Sequence, residues 1–158
     1  MKRPLLLYPL FILHLFLGLG ALFGGGSLVL QPDGSGLGMN TGWLARSPFS
    51  NYLVPGLLLF FFMGLLPLVS AIGLFFRPDW PWFHKLNLYS DRHWSWAFSI
   101  YSGLIVIVWI TVQLILTQYF WLQPVMIFTG LLILVFTLTP PVMARYRLAM
   151  DETSKNKI

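Results

Sequence analysis

Apolar residues run through this chain in long unbroken blocks, and charged residues stand only between the blocks. From Pro4 to Pro32 there is no Asp, Glu, Lys or Arg, and Pro4 to about Phe23 is nearly all Leu, Phe and Ile. A helix rises 1.5 Å per residue, so about twenty residues cover a hydrocarbon core of about 30 Å. This pattern predicts a membrane-spanning helix over about residues 4–26 and a second over 53–76, the densest part of the uncharged run between Arg46 and Arg77. Trp94 to Ala144 is also free of charge, and as one helix it would be roughly 75 Å long, so it must fold back. Thr117 to Pro124 collects amides and interfacial aromatics, and Pro124 can open a new helix at its first turn. Spans three and four are therefore expected over about 95–116 and 124–143. The predicted fold class is an all-α membrane protein, a four-transmembrane-helix bundle.

Composition supports this reading. Of 158 residues 57% are hydrophobic and 9% charged, with a mean hydropathy of +0.75, more apolar surface than a water-soluble fold of this size can hide. The lack of cysteine excludes disulfides, thiolate metal sites and cysteine nucleophiles. The net charge of +5 comes from groups at the ends of apolar blocks, without a basic stripe, so no nucleic-acid partner is expected. Nine basic residues, Lys2, Arg3, Arg77, Lys85, Arg92, Arg145, Arg147, Lys155 and Lys157, flank one side of the spans, and Arg46 alone lies on the other. By the positive-inside rule both termini and the loop at 77–94 are cytoplasmic, and the loop at 27–52 is external. Residues 148–158 are expected to form a flexible cytoplasmic tail. A cleaved signal peptide is the rival for the first span, but its apolar stretch is too long and no A-x-A site follows.

Close helix packing in lipid relies on small residues. Gly20 and Gly24, continuing as Ala21 and Gly25, offer such a face on span one, and Ser95, Ser99 and Gly103 offer another on span three. Pro9, Pro55 and Pro67 each lack a donor and are expected to kink or start helices. In the external loop, Leu28-Val29-Leu30-Gln31 before Pro32-Asp33-Gly34 reads as a short strand entering a turn, with Leu37-Gly38-Met39 returning beside it as a small hairpin. Ser47-Pro48 reads as the start of a short interfacial helix bearing Phe49 and Tyr52. Asp33, Trp43 and Arg46 are the residues of this loop placed to act as a binding surface, against the plainer role of a lid.

Gly24-Gly25-Gly26-Ser27-Leu28-Val29-Leu30-Gln31-Pro32-Asp33-Gly34, followed by Ser47-Pro48-Phe49-Ser50-Asn51-Tyr52-Leu53-Val54-Pro55-Gly56, resembles a widespread set of small bacterial four-span membrane proteins of unassigned function. The likeness extends over most of the chain. It implies a bacterial inner-membrane setting and supplies no active-site residues.

Ionisable groups within a span are costly and are functional candidates by default. His14 is the one candidate, about 16 Å along the helix from Arg3 and so near the bilayer midplane. A neutral imidazole there has one donor and one acceptor to satisfy, with Ser70, Ser102 and Thr137 at compatible depths on other spans. A structural hydrogen-bonding role is the simplest reading, and a proton relay or ligand site built from His14, Ser102, Thr137 and Gln113 is the sharper one. His84 and His93 near Asp79 and Asp91 lack the tight spacing of a metal motif, so no metal ligands and no cofactor are expected. Gly18 to Gly26 is not a phosphate loop, and no G-x-S-x-G elbow is present, so no catalytic residue can be assigned.

Three function classes follow, in order. The first is a non-enzymatic accessory protein or a binder of lipids or small hydrophobic molecules. The second is a transporter or channel subunit working as an oligomer, for which polar residues are scarce. The last is a lipid-modifying enzyme, because no acid–base pair lies inside the bundle. The expected partners are membrane lipids, another membrane protein or a second copy of the chain. A closed dry bundle would favour an accessory role, an apolar pocket open to lipid would favour binding, and a wet path through His14 would favour transport.

Overall fold

The computed structural model describes residues 3–148. Four long helices dominate them: α1 Leu7–Leu30, α2 Leu53–Phe76, α4 Trp94–Leu116 and α5 Leu122–Thr137, with short helices α3 Pro81–Lys85 and α6 Pro140–Arg145. Each long helix packs on the next, and α5 closes the ring against α1. Among the described residues there is no strand; Arg92 and Arg147 form a lone antiparallel bridge.

Helices α1, α2 and α4 are each long and apolar enough to cross a membrane, whereas α5 is a shorter apolar helix of 16 residues, or about 24 Å. Their outward faces carry exposed side chains such as Ile12, Leu19, Phe61, Ile72, Val108, Ile115, Phe128 and Val135. An apolar exterior of that extent suits hydrocarbon rather than water.

Helix α1 continues through Gly24-Gly25-Gly26-Ser27 to Leu30, so the expected strand at 28–31 does not form and the connecting loop begins at Gln31. Where the backbone has no water to bind, helical hydrogen bonds hold a glycine run in place, and Ser27 Oγ donates back to the Phe23 carbonyl at 2.8 Å. The helix stops at Gln31, whose φ of -131° and ψ of 81° leave the helical region that the following Pro32 disfavours. The loop is two 3₁₀ turns, Ser35–Leu37 and Thr41–Leu44, in place of a hairpin. Gly34 and Gly38 adopt left-handed φ of 85° and 65°, which glycine accepts without strain. Asp33 Oδ1 accepts from Ser35 N–H at 3.1 Å and from Ser35 Oγ at 2.7 Å, and these bonds hold its carboxyl below the usual range. The helix expected from Ser47 does not form either. Ser47 Oγ accepts from Phe49 N–H at 3.3 Å, but the chain bends on until Asn51 Oδ1 takes the Leu53 N–H at the start of α2.

The tight seam between α1 and α2 is not the Gly20 and Gly24 face. A Cβ at Gly20 would meet nothing within 4 Å, and one at Gly24 would touch only Leu59 at 3.6 Å. One at Gly25 would lie 2.7 Å from Phe60 N and 2.8 Å from the Gly56 carbonyl oxygen. Gly18, Ala21 and Gly25 therefore form the contact face, with Gly56 and Gly64 opposite. Gly103 and Gly130 bring α4 and α5 together in the same way. Pro9 and Pro55 sit in first turns, where a missing donor costs nothing. Pro67 lies inside α2, and before it Leu59–Leu65 widens to π geometry, with Leu66 N–H reaching the Phe61 carbonyl five residues back.

Helix α5 ends at Thr137 rather than near Met143, because Pro140 and Pro141 interrupt the ladder and start α6. The segment after α6 is tied to the connection between α2 and α4. Tyr146 is fully buried and its hydroxyl donates to the Leu74 carbonyl. His93 N–H donates to the Tyr146 carbonyl at 2.8 Å, Leu148 N–H to the Asp91 carbonyl at 2.9 Å and Arg92 Nη1 to the Met143 carbonyl at 2.9 Å. Of the expected tail, residues 149–158 lie outside the described residues.

Candidate functional site

The two ends of the bundle differ. At the basic end, bearing Arg3, Arg77 and Arg145, the core closes on Leu7, Leu10, Leu74, Trp96, Ile133, Val142 and Tyr146. At the loop end the helices enclose a cavity of about 570 Å³, within the range of about 300–1,000 Å³ usual for small-molecule sites.

Its walls follow from the helix faces already described. Because the α1 seam uses Gly18, Ala21 and Gly25, the Gly20 and Gly24 side of the helix is turned aside and becomes bare wall, with Phe16 and Phe23 also lining it. Pro55, Leu59 and Met63 of α2, Trp109, Ile110 and Gln113 of α4, and Leu122, Gln123 and Met126 of α5 complete the circle. Trp43, Leu44, Phe49 and Tyr52 of the loop also line it. Tyr52 anchors this cover, donating from its hydroxyl to the Asn40 carbonyl at 2.8 Å and from its N–H to the Pro32 carbonyl at 2.8 Å. Phe16, Phe23, Val112 and Phe120 line the cavity and are also exposed on the outside of the bundle, so its rim reaches the lateral surface.

The lining is mostly hydrocarbon and aromatic, with a polar edge of Ser47, Gln113, Thr117, Gln118 and Gln123. No Asp, Glu, Lys, Arg or His is among the lining residues. Gln123 is 6% exposed, and its Oε1 accepts the Phe120 N–H at 3.0 Å, closing the α4–α5 turn. Trp109 Nε1 is buried without an acceptor among the described residues.

Of the residues singled out from the sequence, Gln113, Trp43, Gly20 and Gly24 meet at this cavity, the glycines as wall rather than as packing contacts. His14, Ser102 and Thr137 do not line it, nor do Asp33 and Arg46 of the loop. His14 is fully buried, and its Nδ1 donates to the Leu10 carbonyl of its own helix at 2.8 Å, leaving Nε2 without a partner. The hydroxyls expected to serve it are engaged elsewhere. Ser70, Ser102 and Thr137 each donate their one proton to a carbonyl in their own helix, Ser70 and Ser102 lie 3.3 Å apart, and Ser99 donates to Thr137 at 2.6 Å. Ser95 packs against Gly73, so Ser95, Ser99 and Gly103 are all seam residues of α4.

Sequence reasoning missed Trp109 and read Gln123 only as part of a turn. The signal was present in Gln113 and Gln123, two amides flanking one fold-back in an apolar block.

At the basic end His84 Nε2 meets Asp79 at 2.8 Å, and His93 caps α4 by accepting Ser95 N–H on Nδ1 at 3.3 Å. Burial, with Arg77 and His84 adding positive charge, pushes the His93 imidazole down to about 4. Burial pushes the Tyr146 hydroxyl up to about 12 against the pull of Arg145, Arg77 and Arg3. Among the described residues no group of three or more His, Asp or Glu converges as metal ligands would. Comparison with family models, with curated proteins and with solved structures finds no match for this chain.

Proposed function

We propose that this chain is a non-enzymatic, multi-pass protein of the bacterial inner membrane that binds an uncharged amphiphile in its loop-end cavity. In this reading α5 and α6 together complete a fourth crossing, the basic end with both termini faces the cytoplasm, and the cavity opens sideways into the outer leaflet. The observation that carries it is the cavity of about 570 Å³ whose apolar walls end in neutral amides and hydroxyls. A charged headgroup would lose its water there with no opposite charge in the lining, a cost that neutral donors and acceptors do not offset. An acyl or isoprenoid tail with a small polar uncharged head matches both parts. Transport is the weaker reading, because Leu17, Met63 and Ile110 form apolar wall of the cavity, and the hydroxyls of Ser70, Ser99, Ser102 and Thr137 already spend their protons on helix carbonyls or on one another.

The test uses the full chain extracted in mild uncharged detergent and examined by native mass spectrometry. The wild type should retain a neutral amphiphile. Gly20→Phe, whose ring would enter open space in the cavity, should fold normally and lose that adduct. A wild type that retains no neutral amphiphile, and is not stabilised by monoacylglycerol, would overturn the proposal.

A further inference from the structure

Far from the cavity, Arg3, Arg77 and Arg145 come from distant parts of the chain to lie around Tyr146 at the basic end. Arg3 Cζ lies 4.0 Å from the centroid of the Phe75 ring, and Arg77 Cζ lies 5.7 Å from the centroid of the Tyr146 ring. Arg145 directly precedes Tyr146, and its Nε is buried without a hydrogen-bond partner among the described residues. The Tyr146 hydroxyl donates to the Leu74 carbonyl, and its oxygen remains an acceptor on the side of Arg145.

Among the described residues no carboxylate pairs with Arg3, Arg77 or Arg145. The chain has five. Asp33 lies in the loop at the opposite end, Asp79 pairs with His84, and Asp91 pairs with Arg92 at 3.4 Å. Asp151 and Glu152 lie outside the described residues. Like charges drawn together at a helix end repel unless an anion sits among them. The carbonyls ending α2 supply only partial negative charge, enough for one cation in the last turn. Arg3 and Arg77 are exposed, the buried Arg145 Nε loses the hydrogen bond it would make with water, and a phosphate oxygen is the acceptor that the planar guanidinium fits best.

We propose that Arg3, Arg77 and Arg145 form a binding site for a phosphate oxyanion at the basic end of the bundle. The phosphate is that of an anionic lipid headgroup or a free phosphate, and the aromatic rings of Phe75 and Tyr146 hold the guanidiniums in position around it. This site is independent of the amphiphile cavity.

The full chain in uncharged detergent is titrated with short-chain phosphatidylglycerol, with the matched phosphatidylcholine and with inorganic phosphate, following thermal stabilisation. Phosphatidylglycerol should bind more tightly than phosphatidylcholine. Arg3→Gln, Arg77→Gln and Arg145→Gln should each weaken it about fivefold, the worth of one basic group at a lipid surface. Arg3 is exposed, so its variant tests the site even if Arg145→Gln fails to fold. Arg145→Lys keeps the charge without the fork and should fall between. Saturation by inorganic phosphate with the same dependence on the three arginines identifies a free phosphate as the occupant, and binding of the lipid alone identifies the headgroup. Equal binding by wild type and Arg3→Gln, or binding that emerges only after Asp151→Asn with Glu152→Gln, would overturn the proposal.

Discussion

Replacing one glycine of α1 at a time separates the seam from the cavity wall. At Gly25 a new Cβ would stand 2.7 Å from Phe60 N and 2.8 Å from the Gly56 carbonyl oxygen, both backbone atoms of α2. That is roughly 0.7 Å inside the contact distance of about 3.5 Å that dispersion favours, and no side-chain rotation relieves it, so the two helices must part. Overpacking of this kind costs about 1–3 kcal/mol, offset by at most about 1 kcal/mol from the better helix propensity of alanine. At Gly20 the clash is absent and the gain in propensity remains. Gly25→Ala should therefore lose about 1–2 kcal/mol while Gly20→Ala gains a fraction of 1 kcal/mol. Reversible unfolding in mixed micelles, followed by tryptophan fluorescence, measures both. If Gly20→Ala lost as much as Gly25→Ala, the assignment of the two faces would be wrong.

His93 gives the bundle a pH dependence. Its folded value of about 4 lies below the ordinary imidazole value of 6.5, so between those limits the unfolded chain binds the extra proton and stability falls as pH falls. Melting temperatures across pH 7 to 4 should show this loss, and His93→Asn, which can still cap Ser95 but does not titrate, should flatten it; an unchanged profile would count against the assignment. For His14, whose one hydrogen bond goes to a carbonyl of its own helix, His14→Leu should change stability by less than about 1 kcal/mol, since it also removes an unpaired buried nitrogen. Unfolding of His14→Leu in mixed micelles checks this, and a loss of several kcal/mol would mean that Nε2 has a partner in the membrane.

The apolar blocks themselves set the helices, because the length of an uncharged run against the thickness of hydrocarbon is a local property. The block from Leu53 to Phe76 forms a helix over those same residues, and the fold-back at Thr117 to Trp121 lies where the amides gather. Local signals misled where the surroundings outweigh them. Leu28 to Gln31 reads as a strand entering a turn, yet α1 continues through Leu30, and Pro140 with Pro141 ends α5 inside what looked like a continuous span. Which glycine face packs could not be read from spacing, since Gly20 with Gly24 and Ala21 with Gly25 repeat at the same interval and differ only in what lies opposite. The partners of His14 depended on whether Ser102 and Thr137 were free, and the tertiary structure pairs them with Ser70 and Ser99 instead. The cavity and the arginine cluster belong wholly to that level. Each is made of residues separated along the chain, and only the ring of four helices brings Gly20 and Gln123 to one cavity, or Arg3, Arg77 and Arg145 around Tyr146.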